Sequence, residues 1–131
     1  CIAADDNHNH MALENGGSDS FGGFTVIKAK NLEYETITSA LLNGEFYSSH
    51  GPLINKLWFC EGIIHIECSN VENIRMNTSR RRTEIVYAKD ENGVEKADFK
   101  VLPEDLYVRI TITDKNGKHA NTNAYFTKDL F

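Results

Sequence analysis

The sequence predicts a mainly β chain in two parts: a strand, a loop and a strand-helix-strand unit over residues 1–52, then an antiparallel β-sandwich over residues 53–131. Three observations carry this expectation. After residue 20, only the stretch around Tyr34, Ile37 and Leu41 has apolar residues at helical spacing. From Leu53 onward the apolar residues alternate with polar ones. Turn signals such as Glu61-Gly62, Asn92-Gly93 and Asn116-Gly117 separate the alternating runs at roughly ten-residue spacing.

Taken in order, CIAA is a short apolar run that reads as the tail of a buried strand, followed by Asp5, Asp6, Asn7, His8, Asn9 and His10. Residues 15–20 read as a loop. In FTVIKA, Phe24, Val26, Ile27 and Ala29 fall on both faces, as in a strand covered on both sides. Asn31 offers a helix N-cap that would put Glu33 and Glu35 in the first turn, and Gly44 closes the helix in a left-handed conformation. Residues 57–60 and 63–68 form a hairpin about Glu61-Gly62, with Cys60 facing Ile63. Strands follow at 73–77 and 83–89, then at Ala97, Phe99 and Val101. In the last hairpin, residues 107–113 turn Val108, Ile110 and Ile112 inward and residues 118–127 return with Tyr125 and Phe126. Six or seven short strands of this kind suggest an immunoglobulin-like sandwich.

Fourteen Lys and Arg against nineteen Asp and Glu give a formal charge of -5, which carries no electrostatic signature for nucleic acid or an anionic membrane. No apolar run approaches the ~20 residues of a membrane span, and no signal-peptide pattern opens the chain. Three irregularly spaced cysteines, Cys1, Cys60 and Cys68, read as reduced thiols, which points to the cytoplasm. A chain opening on Cys1, without Met, reads as a piece of something longer; a lipidated amino-terminal cysteine is the rival explanation.

Chemistry concentrates in Asp5, Asp6, His8 and His10. In an extended conformation Asp6, His8 and His10 project the same way, so Asp6 and His8 can share a metal ion such as zinc, manganese or iron; the competing reading is a solvated polar turn. His50, between Ser49 and Gly51, is a candidate for a site near a metal or a bound anion. Arg80, Arg81 and Arg82 are candidates for a phosphate clamp, against the plainer reading of a solvated loop. His65 and His119 read as exposed. No nucleophile with a base at hand and no glycine-rich phosphate loop is present, which leaves hydrolysis by metal-activated water as the enzymatic chemistry these residues favour.

Ala3-Ala4-Asp5-Asp6-Asn7-His8-Asn9 resembles the last metal-binding motif of the polymerase and histidinol phosphatase (PHP) superfamily, an Asp-x-His pair ending a strand of a distorted α/β barrel. FGGFTVIKA with the helix ending ALLNGEFYSSHGP resembles the segment that closes that barrel in a group of bacterial PHP-domain proteins. YVRITITDKNGKHANTNAYF resembles the last hairpin of an all-β extension that some of them carry. The resemblance implies that Asp6 and His8 are metal ligands, that Asp5 or His10 orients them, and that the parent protein is a divalent-metal phosphoesterase acting on a phosphorylated small molecule or nucleotide. It implies that 1–52 ends the PHP barrel and 53–131 is an accessory domain. Two departures stand out: His50 occupies a place where relatives often carry a smaller hydroxyl residue, and Ala124 one where a proline often follows the asparagine. With the earlier ligand motifs absent, the chain alone is expected to be inactive and to bind metal weakly. A non-catalytic immunoglobulin-like binding module is the alternative.

Overall fold

The alternation in YVRITIT becomes the centre of the larger of two antiparallel sheets. A computed structural model describes residues 2–8 and 20–131. Strand β1 is Phe24–Ile27, helix α1 Tyr34–Leu42, β2 Phe46–Ser49, β3 Ile54–Cys60, β4 Ile63–Val71 and β5 Asn73–Thr78. After these come β6 Thr83–Tyr87, β7 Val94–Lys100, β8 Tyr107–Thr113, β9 His119–Thr122 and β10 Tyr125–Phe126. The larger sheet runs in the order β1-β2-β9-β8-β5-β6, with β10 also paired to β8; the smaller runs β3-β4-β7.

The two sheets share one core. Val108, Ile110 and Ile112 of β8 and Ile74 and Met76 of β5 are fully buried, and meet Ile64 and Ile66 of β4 and Phe99 of β7. Each such side chain contributes about 1.5–3 kcal/mol by leaving water. The alternating residues on the other faces remain polar or half-exposed, which is why period-two patterning located these strands. The chain crosses between sheets with a single residue: β4 ends at Val71, β5 begins at Asn73, and Glu72 forms the corner. There the Glu72 amide donates to the Thr113 carbonyl at 2.8 Å and the Ala88 amide to the Glu72 carbonyl at 2.8 Å. The β4–β7 pairing loses register between Glu67 and Val71, the bulge that lets β4 bend toward that corner.

Several expectations are corrected. Residues 2–8 form no regular structure and Ile2 is 69% exposed, so this apolar run is not a buried strand. Among the described residues β1 is an edge strand with β2 as its one ladder neighbour, and it is partly buried throughout rather than covered on both sides. The helix cap lies at Glu33, with no side-chain cap, and not at Asn31. Its buried stripe is Ala40 with the half-buried Ile37 and Leu41, spaced i, i+3 and i+4, which turns Tyr34 out to solvent. Gly44 does close the helix at φ +74°, where the Glu45 amide reaches back to the Ala40 carbonyl at 2.9 Å. The expected return strand 118–127 is broken into β9 and β10 at Asn123-Ala124. Asn123 turns its side chain out of the ladder and donates Nδ2–H to the carbonyls of Gly44 at 2.7 Å and Phe46 at 3.1 Å.

The chain passes from one sheet to the other between Ser49 and Ile54, close to the expected boundary at residue 52. Residues on the two sides of it nevertheless share a sheet, since Tyr47, Ser48 and Ser49 pair with Thr122, Asn121 and Ala120.

Candidate functional site

The segment carrying Asp5, Asp6 and His8 is fixed to the start of β1. The Ala3 amide donates to Thr25 Oγ1 at 3.1 Å, the Thr25 hydroxyl donates to the Ala3 carbonyl at 2.9 Å, and the Gly23 amide donates to Asp5 Oδ1. Asp5 is therefore spent on positioning the chain. Asp6 and His8 project outward: the Asp6 side chain is fully exposed and that of His8 more than half, with His8 Nδ1 3.8 Å from Asp6 Oδ1 and 2.7 Å from the Asp6 carbonyl. Because a carbonyl only accepts, Nδ1 carries the proton of that contact, and the donors left for a divalent ion are His8 Nε2 and the Asp6 carboxylate. Among the described residues no group of three His, Cys, Asp or Glu could hold a metal, so these two do not complete a coordination sphere. His10 lies outside the described residues.

His50 stands at the same end of the larger sheet. Asp5 holds Gly23; the next residue, Phe24, pairs with Ser49, and His50 follows Ser49. Buried Ser49 shapes the turn, accepting from the Gly51 amide at 2.9 Å and donating to the Pro52 carbonyl at 2.6 Å. One strand further across, the His50 amide donates to the His119 carbonyl at 3.1 Å, and the two imidazoles meet edge to face with centroids 5.6 Å apart. His119 is thus not simply solvated. No local pattern signals this pair, which depends on β2 finding β9.

The three arginines separate. Arg82 reaches Asp105, buried at 2% exposure, through Nε and Nη2, and it also donates to Glu84 and to the Lys100 carbonyl. Hydrogen bonding to Asp105 is the main cause holding the Arg82 guanidinium above its ordinary range. Burial pushes the Asp105 carboxyl up, but Arg82, the Leu102 amide and the charge of Arg80 together outweigh it and hold it below its ordinary value. Arg82 is structural, and exposed Arg80 and Arg81 remain as cations on the loop.

Two further features escaped the sequence reading. His65 is not merely exposed: it stacks on Trp58 at 4.9 Å and pairs with Asp98 at 2.7 Å, one rung across β3, β4 and β7. The hairpin about Glu61-Gly62 already places Trp58 opposite His65, so half of that rung was available from register. The second is an open, mostly apolar cleft of about 850 Å³ between β1–β2 and the edge strand β3, lined by Val26, Tyr47, Ile54, Leu57, Phe59 and Tyr125 among others. Tyr47 spans it, its hydroxyl accepting from the Ile54 amide at 3.1 Å, and burial pushes the phenols of Tyr47 and Tyr125 up. None of Asp5, Asp6, His8 and His50 lines this cleft.

The cysteines among the described residues, Cys60 and Cys68, are free, and no helix there is long and apolar enough to cross a membrane. Compared with known proteins, the chain matches no family model, no curated protein and no solved structure.

Proposed function

We propose that this chain supplies the last metal-ligand pair and the carboxyl-terminal portion of a PHP-type, divalent-metal phosphoesterase, with Asp6 and His8 as ligands. The observation that carries the reading is the anchoring of Asp5 on the Gly23 amide, which leaves Asp6 and His8 side by side and outward at the sheet end that also holds His50. An oxygen and a nitrogen donor so placed fit zinc, manganese or iron, and such a metal supplies Lewis acidity and an activated water for attack at phosphorus. The chain's own residues do three things in this reading. Asp5 holds the loop, Asp6 and His8 present their donors, and His50 stands where a phosphate oxygen or its water can be met. Further ligands come from outside the described residues, and the substrate is a phosphorylated small molecule or a nucleotide. In this reading residues 1–52 end the barrel and residues 53–131 form an immunoglobulin-like accessory domain, in a cytoplasmic bacterial hydrolase.

A second reading, a non-catalytic immunoglobulin-like binding module, is favoured by the open apolar cleft against β3. The two separate in one assay: hydrolysis of an aryl phosphate with manganese or zinc by the native protein containing this chain, beside its Asp6→Ala and His8→Ala variants. Metal-dependent turnover lost in both variants is expected. Turnover unchanged in both would overturn Asp6 and His8 as ligands, and no turnover with no retained metal would leave the binding module.

A further inference from the structure

We propose that His50 and His119 form a two-imidazole site for a divalent late transition metal ion, at which zinc, nickel or copper ties the end of β2 to the start of β9. This site uses neither Asp6 nor His8; it shares His50 with the phosphoesterase reading but does not depend on that reading.

Placement comes first. The residues are successive to the ladder pair Ser49–Ala120, and the hydrogen bond from the His50 amide to the His119 carbonyl fixes their backbones as neighbours. Both side chains are exposed, so an ion reaches them without disturbing the core. Two imidazoles sharing one tetrahedral ion at metal–nitrogen distances of about 2.1 Å place their ring centroids roughly 5 Å apart. The observed separation is 5.6 Å with the ring planes inclined at 72°, so the distance already fits and binding requires one exposed ring to turn until both in-plane lone pairs meet the ion.

The nitrogens are suitably disposed. His119 Nδ1 lies 2.9 Å from Thr113 Oγ1. With Nδ1–H donating to that hydroxyl, Nε2 keeps its lone pair, the arrangement by which a neighbouring acceptor orients a metal-ligating histidine. Both ring nitrogens of His50 lie 3.4 Å from the His119 amide, long for hydrogen bonds, so a small rotation that turns one of them to an ion costs little. The surrounding charge is mixed. A Cβ on Gly51 would lie 3.5 Å from Asp114 Oδ2 and 2.9 Å from Lys118 Cδ, so a carboxylate and a lysine stem flank the turn together. Among the described residues no third His, Cys, Asp or Glu is grouped with the pair, so water fills the remaining positions in this proposal. Such a donor set follows the order copper over nickel and zinc.

The test is titration of the chain with zinc, nickel or copper chloride alone, followed by calorimetry and by the amide NMR signals of residues 49–51 and 118–120. One ion per chain is expected. His50→Gln and His119→Gln should each weaken it by at least about tenfold, and Thr113→Val by about tenfold through loss of orientation. Amide spectra confirm that each variant stays folded. Full affinity retained in either His50→Gln or His119→Gln overturns the site, as does native protein that binds no ion. Binding that disappears in the Asp6 and His8 variants alone overturns it too, while supporting the ligands of the phosphoesterase reading.

Discussion

Arg82→Met tests whether the arginine run is architecture. The substitution keeps most of the aliphatic stem and removes the guanidinium, leaving Asp105, its side chain 3% exposed, without its cation. Removing one partner of a buried pair costs about 3–5 kcal/mol. Water already reaches the Arg82 side chain, which is 25% exposed, so about 2–4 kcal/mol is expected at pH 7. The sign with pH is specific. In the native protein the Asp105 pKa is lowered, so its contribution is present above the unfolded carboxyl value of about 3.9 and is lost as pH falls through the folded value. Without Arg82 the largest lowering cause is gone while burial remains, so the carboxyl rises from its native value, its charge is held less well at pH 7, and the deficit fades as the group is protonated. The deficit of Arg82→Met should therefore shrink between pH 7 and about pH 3.5. Urea denaturation of both proteins at the two pH values measures this. A cost below about 1 kcal/mol at pH 7, the range of an exposed pair, or an equal cost at both pH values would refute the reasoning.

Other expectations concern single contacts. Burial, then the charge of Glu95, pushes the Cys68 thiol up to about 12, so iodoacetamide at pH 8 should label exposed Cys60 and spare Cys68 in mapped peptides. Equal labelling would show that β4 opens readily. Asn123→Ala removes two hydrogen bonds to Gly44 and Phe46 and should cost about 1–2 kcal/mol in chemical denaturation; a change within error would mean that the β9–β10 break needs no such tie. Asp98→Asn, on the exposed side of the Trp58–His65 rung, should cost less than about 1 kcal/mol, and a larger loss would make that rung a structural element. Ile110→Ala, at the centre of the core, should cost about 2–5 kcal/mol, and a loss under 1 kcal/mol would contradict the shared packing of the two sheets.

What the sequence made legible was local. Period-two alternation placed β8 and the burial of Val108, Ile110 and Ile112, and the Glu61-Gly62 turn set Cys60 opposite Ile63 as observed. Gly44 marked the helix end because a left-handed residue was needed there. The pairing of β2 with β9 was hidden, because Ser48 and Asn121 carry no mutual signal across the intervening chain. The His50–His119 contact was hidden with it. Asp105 was missed because a buried carboxylate looks like any turn residue until its arginine is found, and Arg82 looked like a member of an exposed run for the same reason. At Asp5, Asp6 and His8 the residue types were legible. The division of labour among them was not, since it rests on a single amide, that of Gly23.

The ladder between β2 and β9 also sets a schedule. Ser48 and its partner Asn121 are 73 residues apart, so β1, α1 and β2 emerge from the ribosome long before the strand that completes their sheet. At about 5–20 residues per second this interval lasts roughly 4–15 s, during which Tyr47 and Val26 have no sheet to close against. A nascent chain stalled before β9 should be cut by protease between residues 24 and 49, and one released after Phe126 should resist.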